Sequence, residues 1–168
     1  LIKLKKKDKI LCAKFRKGHF EGVIDVMDRL IEIIKPQKIY MGEKDFQQLH
    51  LVKKYVQFKR NTKIILCKTI RDNNKLAFSS RNVLLNKNEF AQAGKITKEL
   101  FLLKEKLSKS RSVKELIYKK RKELTNLFNI NFDYMELRDV LNFKNSNKVK
   151  NSKLFVAYYI NKVRLIDN

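Results

Sequence analysis

The sequence predicts an α/β protein: a short parallel sheet with its helices, then a smaller α+β region of two helices and an antiparallel sheet. Three observations predict it. Helical apolar spacing alternates with short strand-like runs up to about residue 70; two amphipathic stretches with capping signals follow; and after Asn131 the apolar period falls to two.

The elements follow in order. Leu1 to Leu11 alternate apolar residues with lysine and show no cap logic, and Leu1 is not a start methionine, so the chain is expected to begin inside a longer one. From His19, apolar residues at Val23, Val26, Met27, Leu30, Ile31 and Ile34 keep a helical spacing that stops before Pro36, the only proline. A proline pushes the residue before it out of the helical region, so the spacing predicts a helix of about four turns. Ile39-Tyr40-Met41 reads as a strand ended by Gly42, Leu49, Val52 and Val56 as a second helix, and Ile64-Ile65-Leu66 as a second strand. Strand, helix and strand with short joints make a βαβ unit, which implies parallel pairing and a right-handed crossover.

Asn86 with Glu89, and Ser112 with Glu115, have the spacing of capping boxes. The first precedes Ile96, Leu100, Leu103 and Leu107; the second precedes Leu116, Ile117, Leu124, Leu127 and Phe128, so two amphipathic helices are expected. Phe132 to Leu137, Leu154 to Ile160 and Val163 to Ile166 alternate as strands, with a turn at Asn161-Lys162 and a polar, lysine-rich loop from Asn142 to Ser152. The expected division is residues 1–69 and 70–168.

At 168 residues and 43% apolar, the chain can bury a core. Forty Lys and Arg against 17 acidic residues give a formal charge of +23, which favours anionic partners. The basic residues are spread along the whole chain, as a Lys-, Asn- and Ile-rich bias would also place them, so a small phosphate-bearing ligand suits the charge as well as nucleic acid does. Cys12 and Cys67 have no CxxC or Cys/His ligand spacing, so no metal ligands are assigned, and a reduced cytoplasmic protein is the simpler expectation. No run approaches the roughly 18 apolar residues of a membrane helix, and no membrane partner is expected.

Gly42-Glu43-Lys44-Asp45-Phe46-Gln47-Gln48 lies at the carboxyl end of a predicted parallel strand, where open α/β sheets place their ligands. Glycine lets a ligand approach the backbone, the following helix start offers N–H donors, and Lys44 adds a full charge, so a phosphate suits the place. Asp45 can accept from a ribose hydroxyl, and Gln48 carries an amide that donates and accepts. The same residues also suit a plain polar first turn. Ser79-Ser80-Arg81-Asn82 sets two hydroxyls beside a guanidinium, fit for phosphate oxygens and equally for an ordinary turn.

Together these segments resemble the pantothenate synthetase family, which shows GEKDxQQ after one strand and SSRN after the next. Arg16-Lys17-Gly18-His19-Phe20-Glu21-Gly22-Val23 is similar to its R-x-x-H-F-x-G-V stretch, Asp133 to Asp139 to its D-Y-x-E-L-R-D strand, and Arg164 to Asn168 to its R-L-I-D-N ending. The resemblance runs from about Cys12 to Asn168.

It implies that residues 1–69 are the C-terminal part of a Rossmann-like nucleotidyltransferase sheet and 70–168 a small α+β domain covering the active site. It also implies ATP-dependent joining of pantoate to β-alanine through a pantoyl adenylate, within coenzyme A biosynthesis. By residue, it implies ATP binding by Gly42, Glu43, Lys44, Asp45, Ile70, Phe78, Ser79, Ser80 and Arg81. Lys44, Ser79 and Arg81 would hold the phosphates, Asp45 the ribose and Gln48 pantoate, with Arg16 near the active site. Mg2+ would be carried with ATP, and the full-length parent would be a homodimer.

Two residues depart from the family pattern: Phe78 stands where Met or Leu is usual, and Lys75 where glycine is common. The family's N-terminal half, with its H-x-G-H motif and an upstream pantoate-contacting glutamine, has no counterpart here. His19 and His50 lie too far apart for that motif, and His50 is expected on a helix surface. The chain alone is therefore expected to be inactive. Two alternatives remain: another ligase of the HIGH-containing nucleotidyltransferase superfamily, and a basic nucleic-acid-binding module, which lacks an RNA-recognition or zinc-finger signature.

Overall fold

The computed structural model describes residues 2–57 and 61–168. Leu1, where the opening alternation starts, lies outside them. Residue contacts divide the chain into two compact units, Leu1–Thr69 and Ile70–Asn168.

The first unit opens with a 3-10 turn (Lys6–Asp8) and a single helical turn α1 (Cys12–Phe15), then α2 (His19–Ile34), β1 (Lys38–Gly42), a 3-10 turn (Glu43–Asp45), α3 (Phe46–Val52) running into a π-helical turn (Lys53–Gln57), and β2 (Lys63–Cys67). β1 and β2 pair in parallel, with Ile39 opposite Ile64 and Gly42 opposite Cys67, as the βαβ reading requires. Gly18 enters α2 with φ +76, a left-handed backbone that glycine adopts without a Cβ clash. α2 ends at Lys35, also left-handed, one residue before Pro36.

The face α2 turns inward differs from the expected apolar spacing. Phe20, Ile24 and Ile31 are buried, whereas Val26, Leu30, Ile33 and Ile34 are exposed, Ile33 at 77%. The helix therefore carries two apolar stripes, and the structure uses one. Tyr40 and Leu66 on the two-stranded sheet are exposed as well.

The opening segment is tied to the π-helical turn. Buried Asp8 takes hydrogen bonds from Lys54 Nζ and Tyr55 Oη (2.6 Å), and Tyr55 Oη accepts from the Lys5 amide. Leu4 and Leu11 are buried beside them in sequence. The alternation of apolar residues and lysine is thus a half-buried lead-in.

The second unit contains a 3-10 turn (Ser80–Leu84), α4 (Lys87–Ser108), α5 (Val113–Phe128) and the antiparallel sheet β3 (Asn131–Asp139), β4 (Ser152–Ile160), β5 (Val163–Asp167) in that spatial order. α4 starts on a full capping box: the Asn86 side chain accepts from the Glu89 amide and the Glu89 carboxylate from the Asn86 amide, at 3.0 and 2.9 Å. α5 does not. The Ser112 side chain makes no capping bond; its amide instead donates to Ser110 Oγ, and Glu115 pairs with Lys119 on the outer face. Its backbone angles, φ −113 and ψ 60, hold Ser112 off the usual cap geometry.

Ile96, Leu100, Leu103 and Leu107 from α4, Ile117 and Leu124 from α5, and Met135, Leu137, Leu154, Val156 and Tyr158 from the sheet form one core. Each fully buried aliphatic side chain contributes about 1.5–3 kcal/mol relative to exposure. Within the expected polar loop, Phe143 departs: it is buried and meets Phe155 at 5.4 Å between ring centroids. One aromatic therefore anchors a segment otherwise rich in lysine.

Candidate functional site

Each unit carries one of the two segments singled out from the sequence. In the first, β1 delivers the chain at Gly42 with φ −66 and ψ 134, angles open to any residue, so the backbone does not require glycine there. A Cβ built on Gly42 meets nothing within 4 Å. What its absence provides is open space above the carboxyl end of the strand, where a ligand can lie against the main chain. Glu43, Lys44 and Asp45 form the 3-10 turn rather than the first turn of the α-helix.

The Lys44 side chain is 17% exposed and its Nζ lies 3.7 Å from Asp45 Oδ2, whose side chain is 51% exposed. Such a neighbour pair contributes little stability. It does hold an ammonium and a carboxylate side by side at the strand's end. Asp45 precedes α3 without making a side-chain cap, so its carboxylate remains available as an acceptor.

The two glutamines differ. Gln47 is buried, its Oε1 accepting from the Cys12 amide (3.0 Å) and its Nε2 donating to the Ile10 carbonyl (2.7 Å). It clamps the backbone before α1. Gln48 is half-buried, on the next face of the helix. Arg16, just after α1, places Nη2 3.2 Å from His19 Nδ1. The guanidinium donates, so Nδ1 accepts and the ring proton sits on Nε2. His50 is half-buried rather than on a helix surface; burial, then the Lys54 charge, lowers its pKa from the usual 6.5.

In the second unit, Ile70 to Phe78 form a small hairpin. Arg71 pairs with Ala77, the Phe78 amide donates to the Ile70 carbonyl (3.1 Å), and Asp72 Oδ1 accepts from the amides of Asn74 and Leu76. Lys75 takes the left-handed conformation at φ 68 that glycine would adopt more cheaply, and the turn closes with it in place. Ile70 and Phe78 stand side by side, 74% and 62% exposed.

Ser79 then caps the 3-10 turn, its Oγ accepting from the Arg81 amide at 3.2 Å. Its hydroxyl proton can therefore be given to a ligand. Arg81 Nη1 donates to the Arg164 carbonyl (3.1 Å), which aims the guanidinium while leaving further N–H groups for an anion. Ser80 lies within the turn. Asn82 Nδ2 donates to the Ala77 carbonyl, and among the described residues its buried Oδ1 finds no partner.

The structure thus groups Gly42, Glu43, Lys44 and Asp45 in one turn with Gln48 in the helix that follows, and Ile70, Phe78, Ser79, Ser80 and Arg81 in one loop. Sequence reasoning gave no role to the pairs that brace that loop. Arg71 binds Asp167 with two 2.7 Å hydrogen bonds, and Arg164 binds Asp133 at 2.7 Å. Both acids sat in motifs already visible, but partners 96 and 31 residues apart leave no local signal.

Among the described residues no group of three or more His, Cys, Asp or Glu is placed to hold a metal ion, and no helix is long and apolar enough to cross a membrane.

Comparison with known proteins adds to this geometry. The family model described as pantoate-beta-alanine ligase matches residues 1–168. A pantothenate synthetase of Flavobacterium psychrophilum is 41% identical over 160 residues, covering 93% of this chain and 56% of that protein; one of Campylobacter hominis is 38% identical, covering 95% and 58%. The crystal structure of pantothenate synthetase from Thermus thermophilus superposes with a TM-score of 0.90 at 28% identity over 99% of this chain and 61% of that one. Pantoate-beta-alanine ligase from Francisella tularensis, solved with beta-gamma ATP and beta-alanine, superposes with a TM-score of 0.77 at 33% identity, covering 99% and 56%. The chain spans a little over half the length of the relatives it matches, and throughout that span it belongs to the pantoate–β-alanine ligase family.

Proposed function

We propose that this chain is the part of a pantoate–β-alanine ligase that holds ATP and pantoate while pantoate is adenylated and then joined to β-alanine, releasing diphosphate and AMP. The observation that carries the reading is the Gly42–Gln48 segment at the carboxyl end of β1, with open space over Gly42 and a lysine beside it, in a chain matched end to end by one ligase family.

Pantoate's carboxylate is already ionised near neutral pH, so its attack on the α-phosphate of ATP needs no base. The barrier lies in bringing anions together, and positive groups with oriented donors lower it. Lys44, the Ser79 hydroxyl and the Arg81 guanidinium are the groups assigned to the phosphates, Asp45 to the ribose, and Ile70 and Phe78 to the flanks of the adenine. Gln48 holds pantoate, and Arg16, through its contact with His19, shapes the edge of the same site. The neutral amine of β-alanine then attacks the acyl carbon; the amide forms, AMP leaves and the amine loses a proton.

Magnesium would enter this scheme with ATP, held by its phosphate oxygens, since such ions keep few protein ligands. Its charge would offset that of the phosphates. The complete enzyme is read as a cytoplasmic homodimer.

The chain alone is read as inactive, because the relatives are nearly twice its length and positive groups from the remainder would be needed around the phosphates. Pantoate-dependent diphosphate release checks this. The 168 residues alone should show none, and addition of the remaining segment of a relative should restore it. In the restored enzyme, Lys44→Ala and Gln48→Ala should each lower kcat/KM at least a hundredfold, about 2.7 kcal/mol of transition-state stabilisation. Turnover by the chain alone overturns its inactivity, and unchanged kinetics in both variants sinks the site assignment.

A further inference from the structure

We infer that Arg71 and Asp167 are positioning residues that set the Ile70–Arg81 loop for the nucleotide, with the chain's final strand as their support. This deepens the proposed function and rests on its assignment of that loop to ATP.

Ile70 and Phe78 are large apolar side chains left mostly in solvent at the two ends of a short hairpin. The hairpin buries Leu76 in the core of the unit and Ala77 as well, yet two strands with a few bonds between them are marginal in water, and its exposed ends need a further hold. Here the support comes from the opposite end of the unit. Arg71 Nη1 and Nη2 donate to Asp167 Oδ2 and Oδ1, both at 2.7 Å, and the two side chains are only 17% and 12% exposed. The fork-to-fork geometry fixes the orientation of the guanidinium as well as its place.

The same guanidinium lies 5.1 Å over the Phe101 ring of α4, and Nη1 also donates to the Lys75 carbonyl (3.0 Å) at the hairpin's tip. Arg71 therefore grips the hairpin and is itself gripped by a helix and a strand. Asp167 is held in turn: β5 pairs with β4 through Asp167 opposite Val156, and Asp167 Oδ1 accepts from the Asn168 amide (2.7 Å). A second tether from β5, the Arg164 carbonyl, takes Arg81 at the loop's far end. Both ends of the loop assigned to ATP are thus fastened to one short strand.

Amide exchange on the chain by itself tests this without any need for turnover. Asp167→Asn should speed exchange of the Leu76 and Phe78 amides at least tenfold, while the amides of β4 change less than twofold. Asp167→Glu, which keeps a carboxylate, should recover most of the protection. Glu99→Gln, which breaks the α4–α5 pair with Lys120, should leave the loop amides as they were. Should Asp167→Asn cost the fold, Arg71→Gln reads the same amides. Unchanged loop amides, or loop and β4 amides accelerating together, overturn the inference. In the restored enzyme Asp167→Asn should raise the KM for ATP about tenfold with kcat within threefold, and an unchanged KM overturns the link to the nucleotide. A restored enzyme without activity would count against the proposed function and leave the exchange result to decide positioning.

Discussion

At the scale of single residues, the shifted ionisations of the first unit fall on Asp8, His50 and Tyr55, outside the loops assigned to substrate. Burial pushes the Asp8 carboxyl up, but hydrogen bonds from Lys54 and Tyr55 outweigh it and hold the pKa below its ordinary 3.8. A carboxyl with a depressed folded pKa stabilises the fold above its unfolded value and loses that contribution as pH falls through the folded one. His50 runs in the same direction: its pKa is lowered from 6.5 by burial, so the unfolded chain takes the proton first and stability drops as pH falls from 6.5 toward the folded value. Urea midpoints measured between about pH 3 and 8 should therefore fall in two steps. His50→Gln should remove the step that begins near 6.5, and Asp8→Asn should shrink the one below about 4, to which the lowered Glu89 and Glu115 also contribute. Neither shift was legible in the sequence, because Asp8 meets its partners 46 and 47 residues away.

Among the elements, the two capping signals show what spacing can and cannot carry. Asn86 and Glu89 make both bonds of the box; Ser112 and Glu115, at the same spacing, make neither. Asn86→Ala should cost about 1 kcal/mol and Ser112→Ala only a few tenths, read as denaturation midpoints of the second unit. Periodicity fares likewise. It located α2, α4, α5 and the strands β1 to β5 of the described residues, since a buried stripe repeats with its element. It did not tell which of two stripes on α2 faces inward, because Val26, Leu30 and Ile34, four apart, line a helix face as well as the buried Phe20, Ile24 and Ile31, four and seven apart, do. The α/β class follows from local pattern; the facing of an ambiguous helix follows from what packs against it.

On the scale of the whole molecule, the motifs made the family legible before any coordinates, because short runs such as Gly42 to Gln48 and Ser79 to Asn82 mark chemistry more sharply than fold. What braces those runs was not legible: Gln47, given no role of its own from the sequence, is a clamp on Ile10 and Cys12, and the Arg71–Asp167 bond joins residues nearly a hundred positions apart. The outward stripe of α2 has a thermal consequence. The heat-capacity change of unfolding comes mainly from apolar surface that becomes wet, about 12–15 cal/mol/K per residue, or roughly 2.0–2.5 kcal/mol/K for a chain of this length. Val26, Leu30, Ile33 and Ile34 are already 45–77% exposed, so unfolding wets less new surface for them than for buried residues. Calorimetry should find an increment below that range, and a stability curve that bends less with temperature than the number of residues alone would suggest.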